Sequence, residues 1–191
     1  MDEKQLIKRL QETPDTGFRM LIDQYQDKVL NTCLGFVPHL QDAEDLSQEV
    51  FVEVYRSISK FEEKSSLSTW IYRISVNKCL EMIRSRKRHK RSAFFKSLIG
   101  LNEVAERIDT GRFDHPGILL EDKERAQILF NAIDKLAEKQ RTAFTLNKVE
   151  GLSYQEVAKI METSLSSVES LLFRAKKNLQ KLLANYYNTA I

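Results

Sequence analysis

The chain has 191 residues, 42% of them hydrophobic and 30% charged, with a formal net charge of +3; this suits one moderate core or two small ones and excludes a disordered or fibrous chain. No apolar run approaches the roughly 20 residues of a spanning helix, and the N-terminus MDEKQLIKRL is charged where a signal peptide is apolar, so a cytoplasmic protein without membrane insertion is expected. By segment, the net charge is −5 over 1–70, +8 over 71–100, −3 over 101–164 and +3 over 165–191, and two separate basic zones suit a polyanion met at two places.

Six glycines, three prolines and sustained 3.6-residue apolar periodicity predict an all-α protein. The periodicity places helices over 16–36, 40–60 and 68–88, then fails over 89–117, and resumes over 118–136, 138–149, 153–161 and 165–186. The reading is two helical domains, 1–88 and 118–191, joined by a flexible linker. Cys33 and Cys79 are isolated, with no CxxC and no nearby histidine pair, so buried reduced thiols are expected and no metal site.

The helix over 40–60 contains DAEDLSQEVF. At 100° per residue Ala43, Leu46, Val50, Val54 and Ile58 share one face with Phe51 at its edge, while Asp42, Asp45, Glu49 and Glu53 line up beside it. No lysine at i+4 relieves Asp45, Glu49 or Glu53, so either the stripe is a solvated face or something basic meets it. Carboxylate clusters also hold Mg²⁺ for phosphodiester chemistry, but those sites draw ligands from several elements and here one helix supplies them all. No Gly-rich phosphate loop, GxSxG or HExxH is present.

KFEEKSSLSTWIYRISVNKCLEMIRSRKRHKR, residues 60–91, interleaves aromatics with a basic helix capped by Ser66 or Ser68. Arg73, Asn77, Lys78, Arg84, Lys87 and Arg88 fall largely outside, with Phe61, Trp70 and Tyr72 near the preceding loop. Rings flanked by cations suit unpaired bases, although Phe61 or Trp70 taken singly reads better as ordinary core.

In EGLSYQEVAKIMETSLSSVESLLFRAKKNLQKLL, Ser153–Glu156 is a capping box, METS is a short turn, and Ser164 caps a second helix with Val168, Leu172, Ala175, Leu179 and Leu182 inward. That is a helix-turn-helix whose second helix presents Ser166, Ser167, Glu169, Ser170, Phe173, Arg174 and Lys177 outward.

With these motifs in this order, nearly the whole chain resembles the extracytoplasmic-function (ECF) sigma factors of bacterial RNA polymerase. DAEDLSQEVF is similar to the family's core-binding region and SSLSTWIYRISVNKCLEMIR to its melting and minus-ten region. LAEKQRTAF, GLSYQEVAKIM and SSVESLLFRAKKNL resemble its minus-thirty-five domain. The resemblance implies a region 2-like domain, a linker, and a region 4-like domain. It implies that the acidic helix docks on core polymerase through Asp42, Asp45, Leu46, Gln48, Glu49 and Phe51. Minus-ten DNA would meet Phe61, Ser65, Ser66, Ser68, Thr69, Trp70, Arg73, Asn77, Lys78 and Arg84, and minus-thirty-five DNA the outward residues of the last helix. Partners implied are core RNA polymerase, through its β′ clamp and β flap, promoter DNA, and an anti-sigma factor where one exists, with one copy of the chain per polymerase. No cofactor and no catalytic residue are implied, because the chemistry belongs to the polymerase.

The linker, fully extended, spans about 95 Å but as a coil averages about 30 Å, while promoter elements two duplex turns apart lie about 70 Å from one another. An extended linker is therefore expected on the polymerase. One departure from the family stands out: Glu169 and Leu171 occupy turns where related recognition helices commonly carry Lys or Arg. The competing readings are a stand-alone helix-turn-helix regulator, which leaves the acidic stripe and aromatic loop without a role, and an all-helical adaptor, which leaves both basic zones unexplained.

Overall fold

The computed structural model describes residues 3–98 and 123–189, and every regular element among them is helical. Eight α-helices follow in order: α1 Glu3–Glu12, α2 Pro14–Phe36, α3 Leu40–Ser57, α4 Leu67–Leu98, α5 Lys123–Asp134, α6 Glu138–Phe144, α7 Tyr154–Ile160 and α8 Leu165–Thr189. Two departures from the periodicity stand out. The N-terminal ten residues form a helix of their own, with Leu6, Ile7 and Leu10 buried, and α4 runs to Leu98 instead of ending near residue 88. Residues 89–98 of the expected linker are thus helical; 99–117, with the start of the helix expected from 118, lie outside the described residues.

Helices α1 to α4 pack as one bundle. Pro14, within the first turn, needs no N–H there and starts α2 at once after α1. Gly17 allows the two to turn tightly: a β-carbon on it would lie 2.6 Å from the Leu10 nitrogen. Ala43, Leu46, Val50, Phe51 and Val54 of α3 face the core, as their spacing predicts. On α4 the apolar stripe Leu67, Ile71, Val76, Cys79 and Leu80 is buried, with Ser75 satisfied by the Ile71 carbonyl at 2.9 Å. Ser66 caps α4, its Oγ accepting the Thr69 N–H at 3.1 Å, and the Glu3 carboxylate accepts the Leu67 N–H at 2.8 Å. Glu3 thereby ties α1 to the start of α4, a contact the local sequence does not announce.

In the C-terminal part, α6 continues into a π-helical turn, Thr145–Val149, where the Glu150 N–H reaches the Thr145 carbonyl at 3.1 Å. The capping box forms as expected: Glu156 N–H donates to Ser153 Oγ, and Ser153 N–H to the Glu156 carboxylate. Ser164 Oγ accepts the Ser167 N–H at 3.2 Å. Glu162, in the turn between α7 and α8, adopts φ 51°, a left-handed conformation that usually falls to glycine.

The two helical parts pack against each other. One buried cluster runs from Leu6 through Val37 and Cys79 to Ala143, Leu146, Val157, Ile160 and Leu172. A smaller cluster of Ala132, Ile133, Leu136, Ala175 and Leu179 holds α5 to α8.

Candidate functional site

The acidic stripe on α3 is divided by its own neighbour. Arg86 of α4 makes a two-pronged pair with Asp42, at 2.6 and 3.0 Å, and Lys78 lies 3.5 Å from Glu53. Asp45 and Glu49 between them are exposed and, among the described residues, have no ion-pair partner. The bases that relieve the stripe at its ends therefore come from α4, where a search of i+4 positions could not find them. Gln48 is exposed beside this pair. Leu46 and Phe51 are turned into the core, 2% and 9% exposed, which takes their side chains out of any surface contact. The same outer face carries Val52 and Tyr55, 48% and 51% exposed. Val52 stands i+3 from Glu49 and Tyr55 i+3 from Val52, so the outer face passes from charged to apolar along the helix. Phe18 of α2 meets the Tyr55 ring edge-on at 4.9 Å.

At the start of α4, Phe61 and Trp70 pack with ring centroids 5.1 Å apart, both half-buried. Ser65, Ser66 and Ser68 surround the helix start with Thr69, which is nearly buried. Further along, the structure brings Arg73, Asn77 and Arg84 to one side, and that side faces the C-terminal helices. Arg73 Nη2 donates to the Lys159 carbonyl at 2.7 Å and its Nη1 lies 3.0 Å from the Glu162 carboxylate. Arg84 forms a two-pronged pair with Glu138, the Nε bond being 2.8 Å. This pair holds the Glu138 carboxyl below its usual range and raises the Arg84 guanidinium.

Deeper in the same contact, Arg141 is 4% exposed; it pairs with Asp134 and donates to the Phe36 carbonyl at the end of α2. Thr145 Oγ1 donates to the Gly35 carbonyl at 3.3 Å. Thr32 Oγ1 donates to Glu150 at 3.3 Å, yet burial outweighs that bond and pushes the Glu150 carboxyl up to about 7. Tyr72 is pushed up to about 12, by burial first and then by Glu150 and Glu156. Cys33 and Cys79 are free, buried thiols, and the Cys79 thiol is raised by its bond with Cys33 and by burial. Sequence reasoning gave no role to Arg141, Thr145 or Glu150, since nothing local marks residues whose partners lie over a hundred positions away.

On α8, Ser166, Glu169, Ser170, Phe173, Arg174 and Lys177 are exposed, Phe173 by 69%, and Ser167 is half-buried. Leu171 departs from the expected groove-facing turn: it is 8% exposed and belongs to the core, because it falls between Val168 and Ala175 on the inner face. Glu169 is then the one unusual residue of that outer surface. Among the described residues no group of His, Cys, Asp or Glu could hold a metal ion, and no helix is long and apolar enough to cross a membrane.

Residues 21–89 match the sigma-70 region 2 family and residues 126–179 the sigma-70 region 4 family. The chain is 32% identical to the RNA polymerase sigma-H factor of Pseudomonas aeruginosa, covering 95% of this chain and 93% of that one. It is 33% identical to the ECF RNA polymerase sigma-E factor of Haemophilus influenzae, with 94% of each covered. Among solved structures the fold is similar to CnrH in complex with the cytosolic domain of CnrY, at TM-score 0.66 and 18% identity over 96% of this chain and 97% of that one. It is also similar to the sigma factor RpoE in complex with the anti-sigma factor NepR from Bartonella quintana, at TM-score 0.61 and 23% identity over 87% and 96%. With the stripe, the basic helix and the helix-turn-helix in the order those two families occupy, the chain belongs to the ECF sigma factors of RNA polymerase and serves in transcription initiation.

Proposed function

We propose that α3 is the docking surface for core RNA polymerase, the start of α4 the minus-ten surface, and α8 the minus-thirty-five reader. The observation that carries the first assignment is the exposed pair Asp45 and Glu49, which have no ion-pair partner among the described residues while Asp42 and Glu53 on the same stripe are satisfied from within. A basic surface of the polymerase β′ clamp completes it, with Gln48 bonding at its side and Val52 and Tyr55 supplying the apolar contact that a charged stripe alone lacks. Leu46 and Phe51 act here from the core, by fixing the helix that carries the pair.

The loop before α4, with Phe61 and Trp70 at its base, receives an unpaired minus-ten base, and Arg73, Asn77 and Arg84 hold the adjoining backbone, while Lys78 stays on Glu53. The C-terminal domain meets the β flap and the minus-thirty-five duplex. Residues 1–88 and 118–191 are the two functional units, and the segment between them spans the distance on the polymerase. The chain contributes recognition and strand separation without catalytic groups of its own, and works where the polymerase does, in the cytoplasm. An anti-sigma factor is a further partner of this reading, in line with the solved complex of the sigma factor RpoE with the anti-sigma factor NepR.

The test is co-elution with purified core polymerase and run-off transcription. Asp45→Lys with Glu49→Lys should leave helical content unchanged, abolish co-elution and remove promoter-dependent transcripts. A folded double variant that co-elutes as the wild type does would sink the docking assignment.

A further inference from the structure

Residues 62–66 form the loop between the short 3-10 turn Ile58–Lys60 and α4. Among the described residues, no backbone N–H of this loop finds an acceptor. Glu63 adopts φ 54°, in the left-handed region that a glutamate enters only at a cost. Such a loop keeps one shape only when its surroundings fix its ends. The first end is fixed locally: the Phe61 N–H reaches the Ile58 carbonyl at 3.1 Å, and the Phe61 ring packs on Trp70. At the second end Ser66 Oγ accepts the Thr69 N–H at 3.1 Å and donates to the Thr69 hydroxyl at 2.9 Å. These local bonds leave over the N–H of Leu67, the first residue of α4 and a buried one, and the Glu3 carboxylate takes it at 2.8 Å. Glu3 is delivered there by α1. It stands three, four and seven positions before Leu6, Ile7 and Leu10, so the face of α1 that is buried on the bundle also carries the carboxylate. The Tyr25 phenol of α2 is raised by burial first and then by this same carboxylate. A negative charge at this point also suits the positive end of the α4 dipole.

We propose that Glu3 is a positioning residue for minus-ten recognition: from a helix outside residues 21–89, the segment that matches region 2, it fixes the Leu67 end of the loop so that an unpaired base meets one seat. Glu3 touches no DNA itself. It acts through the Leu67 N–H, and thereby through the placement of Ser65, Ser66 and Thr69 at the start of α4. The inference rests on the assignment of the loop before α4 to the minus-ten strand, so its test separates the two.

Holoenzyme assembled from core polymerase and the full-length chain selects strands from a randomised pool of single-stranded DNA, and sequencing gives the base preference at each position. Fluorescence anisotropy then measures affinity for the strand that the wild type enriches most. Glu3→Ala should co-elute with core as the wild type does and lose the preference at one position while keeping the others. It should bind the enriched strand about tenfold more weakly, as expected when one buried donor is left unpaired. Glu3→Gln, whose amide oxygen still accepts from Leu67, should restore both. Unchanged preferences in Glu3→Ala, a uniform loss at all positions, loss of core binding, or no rescue by Glu3→Gln overturns the proposal. The underlying assignment is read from Glu62→Gly/Glu63→Gly/Lys64→Gly/Ser65→Gly, which strips the loop of side chains and leaves Glu3 and Leu67 in place. Wild-type preferences in that variant would take the minus-ten base away from the loop altogether. Altered preferences there, with none in Glu3→Ala, would remove Glu3 alone.

Discussion

A β-carbon placed on Gly35 would stand 2.5 Å from the Cγ2 methyl of Thr145, with Val149 next at 3.4 Å. The two residues are 110 positions apart and belong to different helical parts, so the glycine is required by the contact and not by its own helix.

Gly35→Ala therefore sets two effects against each other. Helix propensity favours alanine by about 1 kcal/mol, while forcing a methyl into a filled contact costs about 1–3 kcal/mol. The expected result is a net loss of up to about 2 kcal/mol in urea unfolding. Thr145→Ser keeps the hydroxyl that donates to the Gly35 carbonyl and removes the methyl. In that background Gly35→Ala should be neutral or stabilising, and a double-mutant cycle measures the difference.

Arg141 donates to the Phe36 carbonyl, one of the last carbonyls of α2, which no residue of that helix satisfies. Arg141→Met retains bulk but leaves this buried acceptor without a donor, and should cost about 2–3 kcal/mol. Asp134, on the other prong, is 55% exposed and regains water. Arg141→Lys should recover little, because one ammonium cannot serve two acceptors set in a guanidinium's fork. Chemical denaturation of the three proteins checks the order.

Closure, the packing of the C-terminal helices on the N-terminal bundle, should depend on pH through Glu150. Its carboxyl is raised to about 7 from an ordinary 4.5 by burial, with the Thr32 hydroxyl facing it from α2 and the neutral Tyr72 phenol from α4. The closed form therefore keeps a proton that an open form releases. Closure is strongest below the ordinary carboxylate range, weakens as pH rises toward about 7, and levels off above that. Radius of gyration from about pH 5.5 to 8 should increase across this window, and Glu150→Gln, which still accepts from Thr32 but does not titrate, should flatten the dependence. An unchanged pH profile in the glutamine variant would remove Glu150 as the cause.

On α8, Glu169 is exposed where it can accept from cytosine N4 in the major groove. Promoter selection from a randomised minus-thirty-five library should show Glu169→Gln relaxing the preference at one cytosine, a loss of about 1–3 kcal/mol of discrimination. Lys177→Ala should instead weaken binding across sequences and reduce the salt slope by about one. Identical base preferences in wild type and Glu169→Gln would exclude the glutamate from recognition.

The elements and their inner faces were legible because they depend on local periodicity: Val50 and Val54, or Val168 and Leu172, announce their burial by spacing alone. Caps were legible for the same reason, as at Ser153 and Ser164. What escaped depends on distant partners. Helix α1 is short, and Glu3 acquires its place only by reaching Leu67. Arg86 answers Asp42 from 44 positions away, and Thr145 and Glu150 meet α2 across more than a hundred residues. Leu171 was misread because one residue at the edge of a helical face changes sides with a small rotation of the helix on its neighbours.

The π turn at Thr145–Val149 has an evolutionary corollary. A π turn holds one residue more than the α-helix requires, and each residue advances a helix by about 100°. Deleting one position from TLNKV would restore the ordinary ladder and swing Glu150 away from Thr32 without altering any base-contacting side chain. Single-residue insertions and deletions in this turn are thus a route by which descendants of this sequence could gain or lose proton-linked closure while their promoter specificity stays the same.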